Sequence, residues 1–182
     1  MKNLKVFIAG PRAINELNEN VCKKLNNICE KKYEILIGDS FGIDSKVQNF
    51  LNNKQYKKVT VYASGNRVRN NYGNWIVQNV SVNSNEKGFD FYAHKDLEMA
   101  KNADIGFMIW NGNSRGTFNN IVNLLQMNKE VVLYYEETKS FYDFKCIEDF
   151  IKCFKTNIMM NNKLKQIINK IECNQFVQVG LF

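Results

Sequence analysis

Proline is almost unused in this 182-residue chain: Pro11 is its single example, beside ten glycines. That scarcity excludes collagen-like, linker and mucin-like chains. Histidine is equally scarce, with His94 alone, and no two cysteines stand as Cys-x-x-Cys. A zinc site needs a tight set of such ligands, so no metal is expected, and nothing points to another cofactor. His94, beside Lys95, reads as an exposed or capping histidine ahead of a catalytic one. No apolar run approaches the ~18–20 residues of a membrane span. Met1-Lys2-Asn3-Leu4 leads directly into a strand-like run without a signal-peptide pattern, so a cytoplasmic protein with no membrane contact is expected. Five cysteines fit that compartment. Cys22 and Cys29, like Cys146 and Cys153, share a helix face and read as buried or half-buried thiols.

What is present is the composition of a packed protein: 45% hydrophobic, 13% aromatic and 24% charged residues. The length suits one domain. Net charge is +7, but it is unevenly spread. Residues 1–58 carry 11 basic and 6 acidic side chains, residues 59–138 carry 7 and 8, and residues 139–182 carry 7 and 4. The excess lies toward the chain ends, as on solvated helix faces, and forms no nucleic-acid stripe.

Five short apolar runs read as strands: Val6-Phe7-Ile8-Ala9, Ile35-Leu36-Ile37, Val59-Thr60-Val61-Tyr62, residues 104–110 and residues 130–135. Helical spacing separates several of them, as in Leu17, Val21, Leu25 and Ile28, or Ile121, Leu124 and Leu125. Near-continuous apolar strands alternating with helices indicate an α/β protein with a Rossmann-like, doubly wound, mainly parallel five-stranded sheet covered on both faces. Residues 66–88 read as a long loop. Residues 1–138 are assigned to the Rossmann-like domain and 139–182 to a helical C-terminal appendage on it. The appendage holds two helices and a terminal strand candidate, Phe176-Val177-Gln178-Val179. Its aromatics, Phe141, Tyr142, Phe144, Phe150 and Phe154, suit either a homodimer contact or packing over the edge of the protein's own sheet.

In such a sheet, ligands bind beyond the carboxyl ends of the strands, where helix N-termini favour anions. Four segments converge there. Gly10-Pro11-Arg12 offers close backbone approach, a rigid turn and a fixed charge. Gly38-Asp39-Ser40-Phe41-Gly42-Ile43-Asp44 brings two glycines and two carboxylates, which equally suit helix capping. Residues 67–75 carry Arg67 and Arg69, either ligand contacts or surface charges. Asn111-Gly112-Asn113-Ser114-Arg115-Gly116-Thr117 opens into a helix with the composition of a phosphate cradle or of an ordinary N-cap loop.

Those motifs in that order resemble the SLOG superfamily of Rossmann-like nucleotide-binding proteins, which includes DNA-processing protein A, YpsA-like proteins and the lonely guy phosphoribohydrolases. The resemblance rests on Gly10-Pro11-Arg12, residues 38–44, and Ala103-Asp104 ahead of Gly116-Thr117, and covers about residues 4–136. More distantly, the layout is similar to nucleoside deoxyribosyltransferases and nucleotide N-hydrolases. The family's phosphoribohydrolases cleave the bond between base and ribose 5′-phosphate with an arginine and a glutamate. Aligning on Met99 places Lys95 at the arginine position, and aligning on Gly116-Thr117 places Asn120 at the glutamate position. An amide cannot replace a carboxylate base, and lysine lacks the guanidinium fork.

The resemblance therefore implies first a binder of a nucleotide or nucleotide-derived small molecule. Phosphate would rest at Ser114, Gly116 and Thr117, with Arg12 or Arg69 as counter-charge and Trp75, Tyr72 or Trp110 stacking on a base. The second reading is a nucleotide N-glycosidase of phosphoribohydrolase or deoxyribosyltransferase type, with its carboxylate among Asp39, Asp44, Asp96 and Glu98. The third is single-stranded DNA binding.

Overall fold

The computed structural model describes residues 3–82, 85 and 87–179, with side chains as far as residue 171. The elements run β1 (Lys5–Ala9), α1 (Glu19–Glu30), β2 (Glu34–Gly38), α2 (Ile43–Asn53), β3 (Val59–Ser64), β4 (Ile76–Val80), α3 (Gly88–Asn102), β5 (Ile105–Trp110), α4 (Arg115–Gln126), β6 (Glu130–Tyr135), β7 (Ser140–Phe144), α5 (Ile147–Met160) and α6 (Asn162–Val179). They form one sheet in the order β4-β3-β2-β1-β5-β6-β7. Every pairing is parallel except β6 with β7. The chain winds outward from β1 to β4, then restarts on the other side of β1 with β5. The carboxyl ends of β1 and β5 therefore flank the switch point at which loops diverge and a crevice opens.

Alternation along the strands builds two cores. Val6, Ile8, Ile35, Ile37, Phe107 and Ile109 face α1 and α2, whose Val21, Leu25, Val47 and Leu51 cover them. Phe7, Leu36, Met108, Trp110 and Leu133 face the opposite layer of α3 to α6. Strands buried on both sides give the continuous apolar runs that make β1, β2 and β5 visible in sequence.

Two strands are additional to the five expected. β4 lies within the stretch read as a loop, and β7 within the appendage read as helical. Both are edge strands with much of their surface in solvent, and Ile76 of β4 is 77% exposed. They lack the buried run that marks a central strand. Phe176-Val177-Gln178-Val179 is also corrected: it continues α6 as helix. Here the helix already under way outweighs the local β propensity of two valines. Phe144, Phe150 and Phe154 pack into the protein's own core with Trp110 and Phe118.

A candidate ligand cavity at the switch point

Two turns lock together to form one wall. Ile43 N–H donates to Pro11 O at 3.2 Å, and a β-carbon added at Gly10 would strike the Ile43 side chain. Gly42 has φ +76° and lies against the backbone of Pro11 and Arg12, so a side chain there is excluded by conformation and by space. The opposite wall is the turn into α4. Asn111 Oδ1 accepts from the backbone N–H of Asn113 and Ser114, and Ser114 Oγ caps α4 by accepting from Thr117 N–H at 3.3 Å. Of the two alternatives for this loop, the N-cap is thus present at Ser114, while Gly116 of the helix's first turn stands at the cavity.

Between the walls lies a cavity of about 570 Å³. Arg12, Phe89 and Tyr92 stand around it, and Asp44, Lys95, Asp96 and Asn120 form its polar lining. Lys95 is only 2% exposed. Its ammonium contacts Asp96 Oδ1 at 2.6 Å, and Asn120 Nδ2 donates to Asp96 Oδ2 at 3.3 Å. The two positions at which the chain departs from the phosphoribohydrolase pattern thus share a single carboxylate. That carboxylate fixes the Asn120 amide, whose Oδ1 is buried with no hydrogen-bond partner. A substituent on Gly38 would run into both Asp44 and Lys95, which brings these two charges side by side. Burial pushes the Lys95 pKa down, but attraction to Asp96 and Asp44 outweighs it and holds the ammonium protonated. Burial pushes Asp44 up to about 6; Lys95 opposes the shift and Asp96 reinforces it.

Asp39 faces away from this cavity into a closed corner. Arg69 reaches it with NH2 at 2.6 Å, Nε at 3.1 Å and the backbone N–H at 3.0 Å. Burial would raise the Asp39 pKa, and these bonds reverse the effect and leave it below the usual carboxylate value.

The cavity gathers most of the residues expected from sequence. Gly10, Pro11, Arg12, Ser40, Asp44, Asp96, Ser114, Gly116, Thr117 and Asn120 line it. Gly38 and Gly42 support it from behind, Asp39 and Arg69 form the adjoining corner, and Arg67 is exposed to solvent. Glu98 faces outward in a 2.6 Å pair with Lys101. Arg115 stacks on Phe89, with Cζ 3.8 Å from the ring centroid. Two of the aromatics expected to stack on a base are displaced: Trp110 is 0% exposed inside the α3 to α6 core, and Trp75 packs on the other face with its indole N–H bonded to Tyr56 O at 2.8 Å. Tyr72 is half exposed on the β3–β4 connection, outside the lining. The rings that do line the cavity are Phe89 and Tyr92. Their i, i+3 spacing places both on one face of α3, a signal overlooked because residues 66–88 read as a loop and the helix beginning there has only weak amphipathic character.

No protein-family model and no curated protein matches the chain. Among solved structures, it is similar to DNA processing protein A from Helicobacter pylori, a structure described for its single-stranded DNA binding mode. The TM-score is 0.58 at 11% identity, over 94% of this chain and 81% of that one. The likeness is one of fold. No helix among the described residues is long and apolar enough to cross a membrane, and no three His, Cys, Asp or Glu side chains among them cluster as a metal site would need.

Proposed function

We propose that the protein binds a nucleotide or nucleotide-derived small molecule in this cavity, as a SLOG-type ligand-binding protein. The observation that carries the reading is the mixed polarity of the cavity lining. The α4 N-terminus and the exposed Arg12 offer positive potential, and Asp44, Asp96 and Asn120 offer acceptors around the buried Lys95 ammonium. A phosphorylated nucleoside has the matching distribution, with an anion at one end and donor-rich sugar and base groups at the other. The rings at the cavity are Phe89, stacked by Arg115, and Tyr92, stacked by Arg12 and Arg69, so an aromatic and guanidinium layer stands beside the ligand in place of the buried tryptophans.

Titration calorimetry with AMP and the other nucleoside monophosphates tests this. Arg12→Ala should weaken AMP about tenfold, the value of one charge-assisted contact of ~1.5 kcal/mol. Equal affinity of the variant and the parent would remove the phosphate end of the reading. Retention on oligo-dT with a steep salt dependence, in place of mononucleotide binding, would favour a single-stranded nucleic-acid ligand.

One observation favours the N-glycosidase as a second reading. Asp44 is a buried cavity carboxyl that retains its proton up to about pH 6, a property suited to acid–base work. Of the four carboxylates considered, Asp44 and Asp96 line the cavity, so this reading narrows to them. Free base released from nucleoside monophosphates by the parent and not by Asp44→Asn would establish it.

A further inference from the structure

We propose that the C-terminal segment is a working part of the cavity: its aromatic core positions residues 111–117, with Trp110, Tyr135 and Asn157 as positioning residues. Trp110 ends β5 immediately before that turn. Its ring is surrounded by Phe118 and Tyr135, each with centroids at 5.8 Å, and by Phe150 at 5.8 Å and Phe154 at 5.3 Å. Two of these four rings come from α5. The one polar atom of this buried ring reaches the cavity turn: indole Nε1–H donates to Ser114 O at 3.1 Å. Ser114 is the residue that caps α4.

A second strut runs beside the first. Gly112 has φ +78°, and a β-carbon there would lie 3.0 Å from Tyr135 Oη and 3.2 Å from Asn157 Nδ2. The turn therefore rests directly on these two groups. Asn157 Nδ2 donates to Tyr135 Oη at 2.9 Å, and Tyr135 in turn donates to Glu137. Asn157 lies on α5 beyond the bend at Phe154, where φ −108° and ψ 19° depart from helix. The bend region thus supplies both Phe154, with its ring 4.8 Å from that of Tyr135, and the amide beneath Gly112. Both struts join the appendage to the same short turn, one at Gly112 and one at Ser114. Neither Trp110, Tyr135 nor Asn157 lines the cavity, so any effect they have on it passes through the turn or through Phe118 at the start of α4.

Hydrogen–deuterium exchange of the ligand-free, full-length protein tests the proposal without depending on ligand identity. Asn157→Ala and Trp110→Phe should each speed exchange of residues 111–117 roughly tenfold while β1, β2 and β3 stay within about twofold. Unchanged exchange of the turn in both variants overturns the proposal. So does an equal rise in β1 to β3, which would make these contacts general stabilisers of the fold. The second arm rests on the proposed function: Asn157→Ala should weaken AMP binding about threefold to tenfold by leaving the turn less ordered. Failure of the parent to bind AMP removes the proposed ligand and leaves the exchange result standing.

Discussion

Asp39 and Asp44 leave the same turn after β2 and are both buried, at 1% and 5% exposure, yet they belong to two different kinds of region. The corner around Asp39 is closed. Arg69 satisfies both carboxylate oxygens, donates also to Ser40 Oγ at 2.9 Å, and is followed by Asn70, which bonds Asp39 O at 2.8 Å. Gln48 completes the join by donating to Gly38 O and Asn70 O. The cavity lining around Asp44 is open. Asp44 accepts one backbone bond, from Ser40 at 3.2 Å, and shares Lys95 with Asp96. Two carboxylates facing one ammonium leave an acceptor surplus. The contrast between a saturated buried aspartate and an under-satisfied one beside it is the physical support for the ligand proposal.

The strongest break of this contrast is Arg69→Ala. It strands the Asp39 carboxylate in a corner where the pair's side chains are 2% and 21% exposed, and removing one partner of a buried pair costs about 3 kcal/mol. Urea denaturation should show that loss. A loss under ~1 kcal/mol would rank the corner with ordinary surface pairs and end the distinction.

Asp44→Asn acts in the opposite direction. The folded-state pKa of Asp44, about 6, lies above its ordinary value of 3.8, so folding favours the protonated acid. Its contribution to stability is present below pH ~4 and is lost as pH rises through about 6. The amide does not ionise and escapes that loss. Ligand-free Asp44→Asn should therefore be more stable than the parent by about 3 kcal/mol at pH 8, with the difference vanishing toward pH 4. For Asp39 the sign reverses: its lowered pKa gives stability that is present above the ordinary value of 3.8 and is lost as pH falls through the folded-state pKa. Denaturation midpoints measured from about pH 2 to pH 8 compare the two, since the Asp39 loss falls below its ordinary value and the Asp44 loss above it, and destabilisation by Asp44→Asn at pH 8 would mean that Asp44 is paired as firmly as Asp39.

Much of this frame was legible in the sequence, and the exceptions have causes. The five central strands announce themselves because both their faces are buried, and the turns after β1, β2 and β5 stand out because their glycines and small polar residues cannot continue a strand. β4 and β7 were hidden by their place at the sheet edges. α3 was hidden by its inward face, where Lys95 occupies a buried position beside Met99 and Ala100 and breaks the apolar period. That same irregularity is the best sequence signal of the cavity, since a lysine at a core position needs partners that only a polar interior supplies. The place of Trp110 at a strand's carboxyl end suggests a ligand contact, because position along the strand does not reveal the direction of the ring. Sharing a strand face with Met108 and pairing with Tyr135 turn it toward α4 and α5 instead.

The smallest expected effect sharpens the same contrast within one helix. Asp96 and Glu98 are near neighbours on α3, and both were candidates for a catalytic carboxylate. Asp96 bonds Lys95 and Asn120 inside the cavity, whereas Glu98 pairs with Lys101 in solvent, their side chains 37% and 52% exposed. An exposed i, i+3 pair contributes a few tenths of a kcal/mol, so Glu98→Gln should shift stability by under ~0.5 kcal/mol and leave AMP affinity unchanged. Asp96→Asn removes the charge opposite a buried ammonium and one of the two oxygens that Lys95 and Asn120 use, and should lower both stability and affinity beyond that margin. The pair of variants, measured side by side by denaturation and calorimetry, separates charge at the cavity from charge merely near it. If Glu98→Gln proved as damaging as Asp96→Asn, the effect of these carboxylates would be a general one of net charge, and the assignment of Asp96 to the site would lose its basis.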